Sequence, residues 1–222
     1  MAETKTPRER YRVQVRAEIK DHAWDQIRTA GATGLSLNAI AKRMGMSGPA
    51  LYRYFAGRDE LITELVRDAY RSLADLFRST AAETESAAEV EPAAALAALA
   101  HALRRWALTD PHRYFLVYGT PVPGYHAPDD ITAIATEIMA PLLDACAALP
   151  EAGPPAPFDA HIGAHRQWAG GHTAAPAALH RALSVWTRLH GVLSLEVAGH
   201  FTGMGFDPAL LFEAELAALT GP

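Results

Sequence analysis

The chain has 222 residues, half of them hydrophobic, which is enough to bury a sizeable core without disulfides or metals. Its single cysteine, Cys146, excludes a disulfide within the chain and favours a reducing, cytoplasmic setting. Neither a signal peptide nor a segment able to span a bilayer is predicted.

The net charge of −5 is unevenly distributed along the chain. Residues 1–58 carry 11 Lys and Arg against 5 Asp and Glu, whereas residues 59–222 carry 9 against 20. A basic N-terminal segment on an acidic body suggests that only this segment meets a polyanion. The same count would also arise from charges that cluster by chance on a solvated helix.

Apolar residues recur at helical spacing almost throughout, so the sequence predicts an all-α fold. In the N-terminal part, Ser36 and Ser47 are expected to cap helices by accepting hydrogen bonds from free backbone N–H groups. Pro49 fits the first turn of the third helix, where its missing N–H costs nothing. The first four predicted helices cover about residues 8–30, 37–44, 48–55 and 58–79.

Five further helices are predicted after residue 80. They cover about residues 92–109, 111–118, 129–149, 177–199 and 208–219. Residues 150–176 are rich in Pro and Gly and show no clear helical pattern, so a long loop or a partly ordered excursion is predicted there. Such a loop could close over a ligand, or it could be a disordered excursion, which its composition favours.

The second and third predicted helices, joined by RMGMS, have the size and the glycine-containing turn of a helix-turn-helix. In that motif the second helix enters the major groove and the first helix crosses the phosphate backbone. Leu51 and Phe55, four residues apart, are expected to pack inward. The small residues Gly48 and Ala50, with Pro49 between them, would let the backbone approach DNA closely and meet a phosphate.

The stretch GLSLNAIAKRMGMSGPALYRYFAGRDELI resembles the DNA-binding segment of the TetR family of bacterial transcriptional regulators, and the resemblance extends over about residues 11–66. It includes the LYRYF core and the RDEL start of the fourth helix. The chain departs from the commonest family residue at two positions, with Arg58 for lysine and Tyr54 for histidine, and both keep a phosphate donor. The resemblance implies DNA contacts at Ser36, Gly48, Pro49, Ala50, Tyr52, Tyr54 and Arg58.

Base reading requires side chains longer than those of glycine and alanine. Arg53 could hold a guanine in bidentate fashion or bind only phosphate, and Asn38 could read an adenine. Lys42 and Arg43 would meet phosphates from the backbone-crossing helix unless they are simply solvated, and Tyr52 could instead be half-buried against the first helix. The complete predicted DNA-binding set is Ser36, Asn38, Lys42, Arg43, Ser47, Gly48, Pro49, Ala50, Tyr52, Arg53, Tyr54 and Arg58.

The stretch SVWTRLHGVLSLEVAGHF also resembles the TetR C-terminal domain type named for a Trp-His-Gly signature, here Trp186, His190 and Gly191. The resemblance implies a helix-turn-helix DNA-binding domain over residues 1–57 and a larger helical ligand-binding and dimerisation domain over 58–222, with 58–79 as the connecting helix. In this family the last two long helices pair with those of a second subunit as a four-helix bundle. The implied dimer contacts are Gly191, Leu193, Leu195, Leu211, Phe212, Leu216 and Leu219.

A small-molecule inducer, largely apolar, is implied as a second partner beside the double-stranded DNA operator. Apolar and aromatic side chains of the C-terminal domain are candidate pocket walls, although an apolar helix face is more often core than pocket. The candidates are Leu103, Trp106, Tyr114, Phe115, Tyr118, Ile138, Leu142, Trp186 and His190.

Enzymatic chemistry has little support in the sequence. His161, His165 and His172 would suit a zinc site, but the segment lacks the glutamate of an H-E-x-x-H motif, so a metal-dependent hydrolase is the weaker alternative. No cofactor is predicted. We predict instead a homodimeric, ligand-responsive DNA-binding regulator. It is expected to be a repressor that leaves a palindromic operator when it binds its inducer, although the same residues would also fit an activator.

Overall fold

The computed structural model describes residues 6–86, 91–122, 124–125, 128–150 and 154–220 of the chain. These residues form ten α-helices, two short 3-10 turns (Ala32–Gly34 and Gln167–Ala169) and no β-strand, so the predicted all-α fold is confirmed. In chain order the helices are α1 (Pro7–Ala30), α2 (Leu37–Arg43), α3 (Gly48–Leu51), α4 (Arg58–Ser86), α5 (Pro92–Thr109), α6 (Pro111–Tyr118), α7 (Asp129–Ala148), α8 (Pro157–Ala164), α9 (Pro176–Val197) and α10 (Pro208–Thr220).

Two of the nine predicted helices end more than two residues from where the structure ends them. The third ends four residues early because the chain tightens after Leu51, where the N–H of Tyr54 donates to the Leu51 carbonyl over 2.8 Å. This turn carries Phe55 into the interior. The fourth helix continues seven residues beyond its predicted end, and its buried positions extend through Phe77 to Thr80.

The chain divides into two compact units. The first contains Met1–Ala69 and Phe115–Pro128, and the second contains Tyr70–Tyr114 and Asp129–Pro222. The helix α4 therefore contributes residues to both units. The predicted DNA-binding domain, residues 1–57, lies wholly within the first.

The helices α1, α2 and α3 begin at side-chain caps. The Thr6 hydroxyl accepts from the N–H of Glu9 while the Glu9 carboxylate accepts from the N–H of Thr6, which satisfies two free donors at the start of α1. Ser36 and Ser47 cap α2 and α3 as predicted, each accepting from a backbone N–H over 3.3 Å. The buried apolar residues of these helices include Ile19, Ala23, Ile27, Ile40, Leu51, Phe55, Leu61 and Leu65.

In the second unit α9 is the central helix, since it packs against α5, α7, α8 and α10. By length and composition α7 could cross a membrane, which corrects the expectation that no such segment exists. Eight of its twenty residues are nevertheless buried in the unit, as in a core helix. One of them is Cys146, and burial raises the pKa of its thiol to about 12, against the opposing charge of Arg181.

Of the two alternatives for residues 150–176, the structure favours the partly ordered excursion over a continuous loop, because the described part contains α8 and a 3-10 turn. Pro157 occupies the first turn of α8, and the Asp159 carboxylate accepts from the N–H of Ala156 over 2.6 Å. The same carboxylate contacts Nδ1 of His180 on α9 over 2.8 Å, so the 7% exposed Asp159 joins the two helices. The Ala156 N–H, followed by His180, lowers the pKa of Asp159.

A polar pair lies inside the second unit where α6 meets α9. The Tyr114 hydroxyl is 2.9 Å from Nδ1 of His190, the two rings stack at 5.6 Å, and Trp186 lies against the other side of the imidazole at 4.2 Å. Burial lowers the pKa of His190 to about 4 and raises the pKa of Tyr114 to about 12. Both side chains are therefore neutral at pH 7.

Because the unfolded chain returns the pKa of His190 to about 6.5, acid should selectively destabilise the folded state. The contribution of neutral, buried His190 to the free energy of unfolding is complete above pH 6.5, and it is lost as the pH falls towards 4. Between pH 7 and pH 5 we expect a loss of about 2 kcal/mol in the free energy of unfolding, measured by urea titration. The variant His190→Asn should lose less over the same interval, and an equal loss in both proteins would contradict this assignment.

Candidate nucleic-acid interface

The helices α2 and α3 pack on each other and are joined by a tight turn. Gly45 in this turn has φ of +66°, a conformation that favours glycine, and the N–H of Met46 reaches back to the Ala41 carbonyl over 2.9 Å. The turn therefore ends α2 and redirects the chain into α3. This arrangement is the predicted helix-turn-helix.

The twelve predicted DNA-binding residues all belong to the first unit, and none of them is buried. Seven are exposed and five are half-buried. Tyr52 is 48% exposed, so it is not sealed in the interior, and the alternative that it is half-buried against the first helix stays open. Asn38 lies beside the start of α3, since a Cβ added at Gly48 would sit 3.5 Å from its side-chain oxygen. Leu51 and Phe55 are buried as predicted.

The cationic residues predicted to contact DNA differ in whether they already have a partner within the chain. Arg43 pairs with Asp25 over 3.0 Å, and Arg58 donates to the Ala32 carbonyl over 2.8 Å. Lys42 and Arg53 are exposed and make no ion pair within the described residues. These two side chains can meet a phosphate without breaking a bond, whereas Arg43 and Arg58 would first have to exchange one.

The helix α3 has only four residues, which changes the expected role of its N-terminus. The charge at a helix end comes from aligned peptide dipoles, and one turn sums few of them. Contact between the Gly48–Ala50 backbone and a phosphate would therefore depend mainly on close approach. The exposed side chains around the turn carry the electrostatic attraction.

One part of the first unit was not predicted from the sequence. A cleft of about 510 Å³ lies between α1 and α3, and Arg8, Arg12 and Arg53 line it together with Tyr11 and Tyr54. Only Arg53 and Tyr54 were predicted to contact DNA. The signal that could have revealed the others is the spacing in PRERYR, because residues four apart share one face of a helix.

The nine predicted ligand-binding residues are divided between the two units. Leu103, Trp106, Tyr114, Ile138, Leu142, Trp186 and His190 belong to the second unit, and the first five of these are buried. Phe115 and Tyr118 are half-buried and belong to the first unit. Trp106 donates to the hydroxyl of Ser72 over 3.2 Å. Ligand contact at these nine positions stays a prediction.

A separate cleft of about 400 Å³ lies in the second unit between the C-terminal part of α4, the start of α5 and the end of α7. Its walls include small residues such as Ala81, Ala95 and Ala145, and charged side chains, Arg78 and Asp144, line it too. None of the nine predicted ligand-binding residues lines it.

The predicted dimer contacts need correction, because three of the seven are used inside the chain. Leu193, Phe212 and Leu216 are buried in the second unit, so they fill its own core and cannot cover a second subunit. Gly191 and Leu195 are exposed. The other two, Leu211 and Leu219, are half-buried.

The zinc alternative has no geometric support. His161 and His165 stack at 4.4 Å, but Nδ1 of His165 contacts the His161 carbonyl and Nε2 of His172 contacts Asp144 over 3.0 Å. Within the part of the chain that the structure describes, no group of three or more His, Cys, Asp or Glu side chains is placed to hold a metal ion.

Two family models match the chain. The model described as bacterial regulatory proteins, tetR family, matches residues 19–65, which contain the helix-turn-helix. The model described as tetracyclin repressor-like, C-terminal domain, matches residues 96–219.

Curated and solved proteins agree with these matches. The HTH-type transcriptional regulator Rv1816 of Mycobacterium tuberculosis is 37% identical over 94% of this chain and 92% of its own length. The crystal structure of SCO4313, described as a regulatory protein, is 71% identical with a TM-score of 0.87 and covers 98% of this chain and 100% of its own. A TetR/AcrR regulator from Thermobifida fusca, 17% identical, shares the fold with a TM-score of 0.59 over 94% of this chain and 97% of its own. The chain belongs to the TetR family of bacterial transcriptional regulators.

Proposed function

We propose that this DNA-binding regulator acts in the cytoplasm as a homodimer that recognises a palindromic operator and releases it when a small molecule binds, which makes it a repressor. The observation that carries the proposal is the charge of the helix-turn-helix region. Residues 26–58 contain five Lys and Arg and no Asp or Glu, and Lys42 and Arg53 are exposed. Such a surface attracts the phosphates of a duplex. Binding, with no catalytic step, is the proposed activity.

Specificity is assigned to Asn38, whose amide can pair with the N6 and N7 edge of an adenine in the major groove. Two helix-turn-helix units on a two-fold axis meet half-sites about one helical turn apart, roughly 34 Å, or a multiple of that distance. DNA fragments selected from a random library with the full-length protein should therefore contain an inverted repeat. Selection of a single, unrepeated motif, or no enrichment at all, would contradict the proposal.

Dimerisation is assigned to the outer faces of α9 and α10. On α10 the exposed residues Leu210, Ala214 and Ala217 share one face, and Leu210 is 69% exposed. On α9 the exposed Gly191 and Leu195 lie one turn apart. The two helices pack on each other, so together they present an apolar surface of the kind that a second copy covers.

The variant Leu210→Glu should sediment as a monomer at concentrations where the unmodified chain is a dimer, because a charge would enter an apolar interface. Met204→Glu is the matched control, since Met204 is 64% exposed in the segment between α9 and α10 and should leave the dimer intact. By contrast, Leu216→Glu should unfold the protein, because Leu216 is buried within the chain. A Leu210→Glu protein that stays dimeric would place the interface elsewhere.

The ligand site is assigned to the cleft between α4, α5 and α7. Its volume of about 400 Å³ lies within the range of small-molecule pockets, and its alanine-rich walls suit an apolar body. Arg78 already pairs with Asp75 and Glu137, and Asp144 already pairs with His172. Arg78 is thus already matched by carboxylates, and the small apolar residues of the walls favour a largely apolar ligand.

A bulky side chain in the cleft should block the response to a ligand. Once a screen has found a compound that releases the DNA complex, Ala95→Trp should raise the concentration needed for release at least about tenfold by filling the cleft. Ala94→Trp, at an exposed neighbour outside the cleft, is the control. Fluorescence anisotropy of labelled operator measures release. An unchanged response in Ala95→Trp would move the site to the predicted walls around Trp106.

A further inference from the structure

We propose that the cleft between α1 and α3 holds a phosphate of the operator backbone through Arg8, Arg12 and Arg53, an inference that rests on the proposed operator binding. The cleft has a volume of about 510 Å³, and Tyr11 and Tyr54 complete its polar lining. It lies entirely within the first unit. None of the residues from α1 belongs to the predicted DNA-binding set.

The arginines of the cleft differ from Arg16, the next arginine on the same face of α1, in whether they already have an ion pair. Arg8, Arg12 and Arg53 make no ion pair within the described residues. One turn further along α1, Arg16 pairs with Glu64 over 3.3 Å, and its guanidinium lies 4.1 Å from the ring centre of Phe55. Of the three arginines spaced four residues apart on α1, only Arg16 is therefore paired within the chain. Arg8 and Arg12 have no ion pair among the described residues.

Among the residues that the structure describes, no acidic side chain lines the cleft. The nearest acidic residue along α1, Glu9, accepts hydrogen bonds from the N–H and hydroxyl of Thr6 at the helix start, over 2.7 and 2.9 Å. Around α3 the sequence has no Asp or Glu between residues 26 and 58. Three guanidinium groups without an ion pair in the described part of the chain form a site for an external anion.

The chemistry of the lining selects a phosphate diester. Guanidinium groups present paired N–H donors that match two phosphate oxygens, and the phenol groups of Tyr11 and Tyr54 can each add an O–H donor. Ala50 and Arg53 tie the cleft to the helix-turn-helix, since Ala50 lies on α3 and Arg53 directly follows it. A duplex whose major groove receives α3 brings its sugar-phosphate backbone to this cleft.

This assignment decides between the two roles left open for Arg53. A side chain that shares a cleft with two other arginines is placed for a phosphate, which carries no sequence information. Arg53 should therefore contribute equally to binding of all duplexes. Recognition of individual bases then rests on Asn38 and other contacts near the turn.

The test compares the double variant Arg8→Ala/Arg12→Ala with Arg10→Ala. Arg10 lies on the same helix, is exposed, makes no ion pair within the described residues and does not line the cleft. The probes are a 30-base-pair duplex carrying the selected inverted repeat and a scrambled duplex of equal length. Binding constants are measured by anisotropy between 50 and 200 mM NaCl.

For the double variant we expect the slope of log K against log salt to become shallower by about 0.9 for each phosphate that a subunit no longer neutralises, with the same fold-loss on both duplexes. Arg53→Ala should behave in the same way. Arg10→Ala should keep the original slope, and Arg8→Lys/Arg12→Lys should restore most of it because the charge remains. Equal melting temperatures of all variants would show that the loss does not come from unfolding.

Different failures have different meanings. If the unmodified protein ignores both duplexes at 50 mM NaCl, the proposed function itself is wrong. If it binds, but the double variant matches Arg10→Ala, the cleft does not hold a phosphate and the proposed function stands. If Arg53→Ala loses affinity only for the selected duplex at an unchanged slope, Arg53 reads a base and its place in the cleft site is overturned.

Discussion

The position of the helix-turn-helix depends on one half-buried arrangement around Arg16. Its guanidinium lies over the ring of Phe55, donates to the carbonyl of Tyr54 and pairs with Glu60 and Glu64 on α4. One side chain of α1 therefore fixes the turn that follows α3 and ties it to the start of α4. The cation–π contact and the charge-assisted bond are each stronger when water is largely excluded, and Arg16 is only partly exposed. Because of this anchor, α3 and the segment after it present Tyr52 and Arg53 outward.

The same arrangement explains why the basic residues of the first unit have two different roles. Arg16, Lys20 and Arg43 are matched with carboxylates from other helices or turns, so their charges stabilise the fold. Lys42 and Arg53, together with the arginines at the start of α1, lack such partners within the described residues. The excess positive charge seen in the sequence is thus concentrated on the surface that includes the turn between α2 and α3. Chance clustering on a solvated helix does not account for this separation.

Local sequence signals predicted most helices, and they failed where distant residues decide the structure. Proline at the first turn marks the starts of α5, α6 and α10, and all three were predicted at the correct residue. The helix α8 was missed because it is short and is held by the contact between Asp159 and His180, which lie 21 residues apart.

At the candidate sites, helical periodicity does not show what an apolar helix face packs against. It groups Phe212 and Leu216 on one face of α10, but it does not say whether that face meets the chain's own core or another copy. The exposure of the predicted DNA-binding residues could be predicted because the sequence resembles the DNA-binding segment of a specific family. The cleft between α1 and α3 was missed because Arg8 and Arg53 lie far apart in sequence, and no local pattern joins them.

If the cleft of the second unit holds the proposed ligand, the helix α4 offers a physical route by which that ligand and DNA can influence each other. Its first residue, Arg58, donates to the Ala32 carbonyl beside the helix-turn-helix, and residues near its end, including Ala81 and Glu85, line the cleft of the second unit. A ligand changes DNA affinity only through its different affinity for two states of the protein, typically by about 1–3 kcal/mol. A hydrogen bond from a charged donor contributes about 1.5–3 kcal/mol. Loss of the bond between Arg58 and Ala32 in one state is therefore enough, by magnitude, to supply the coupling.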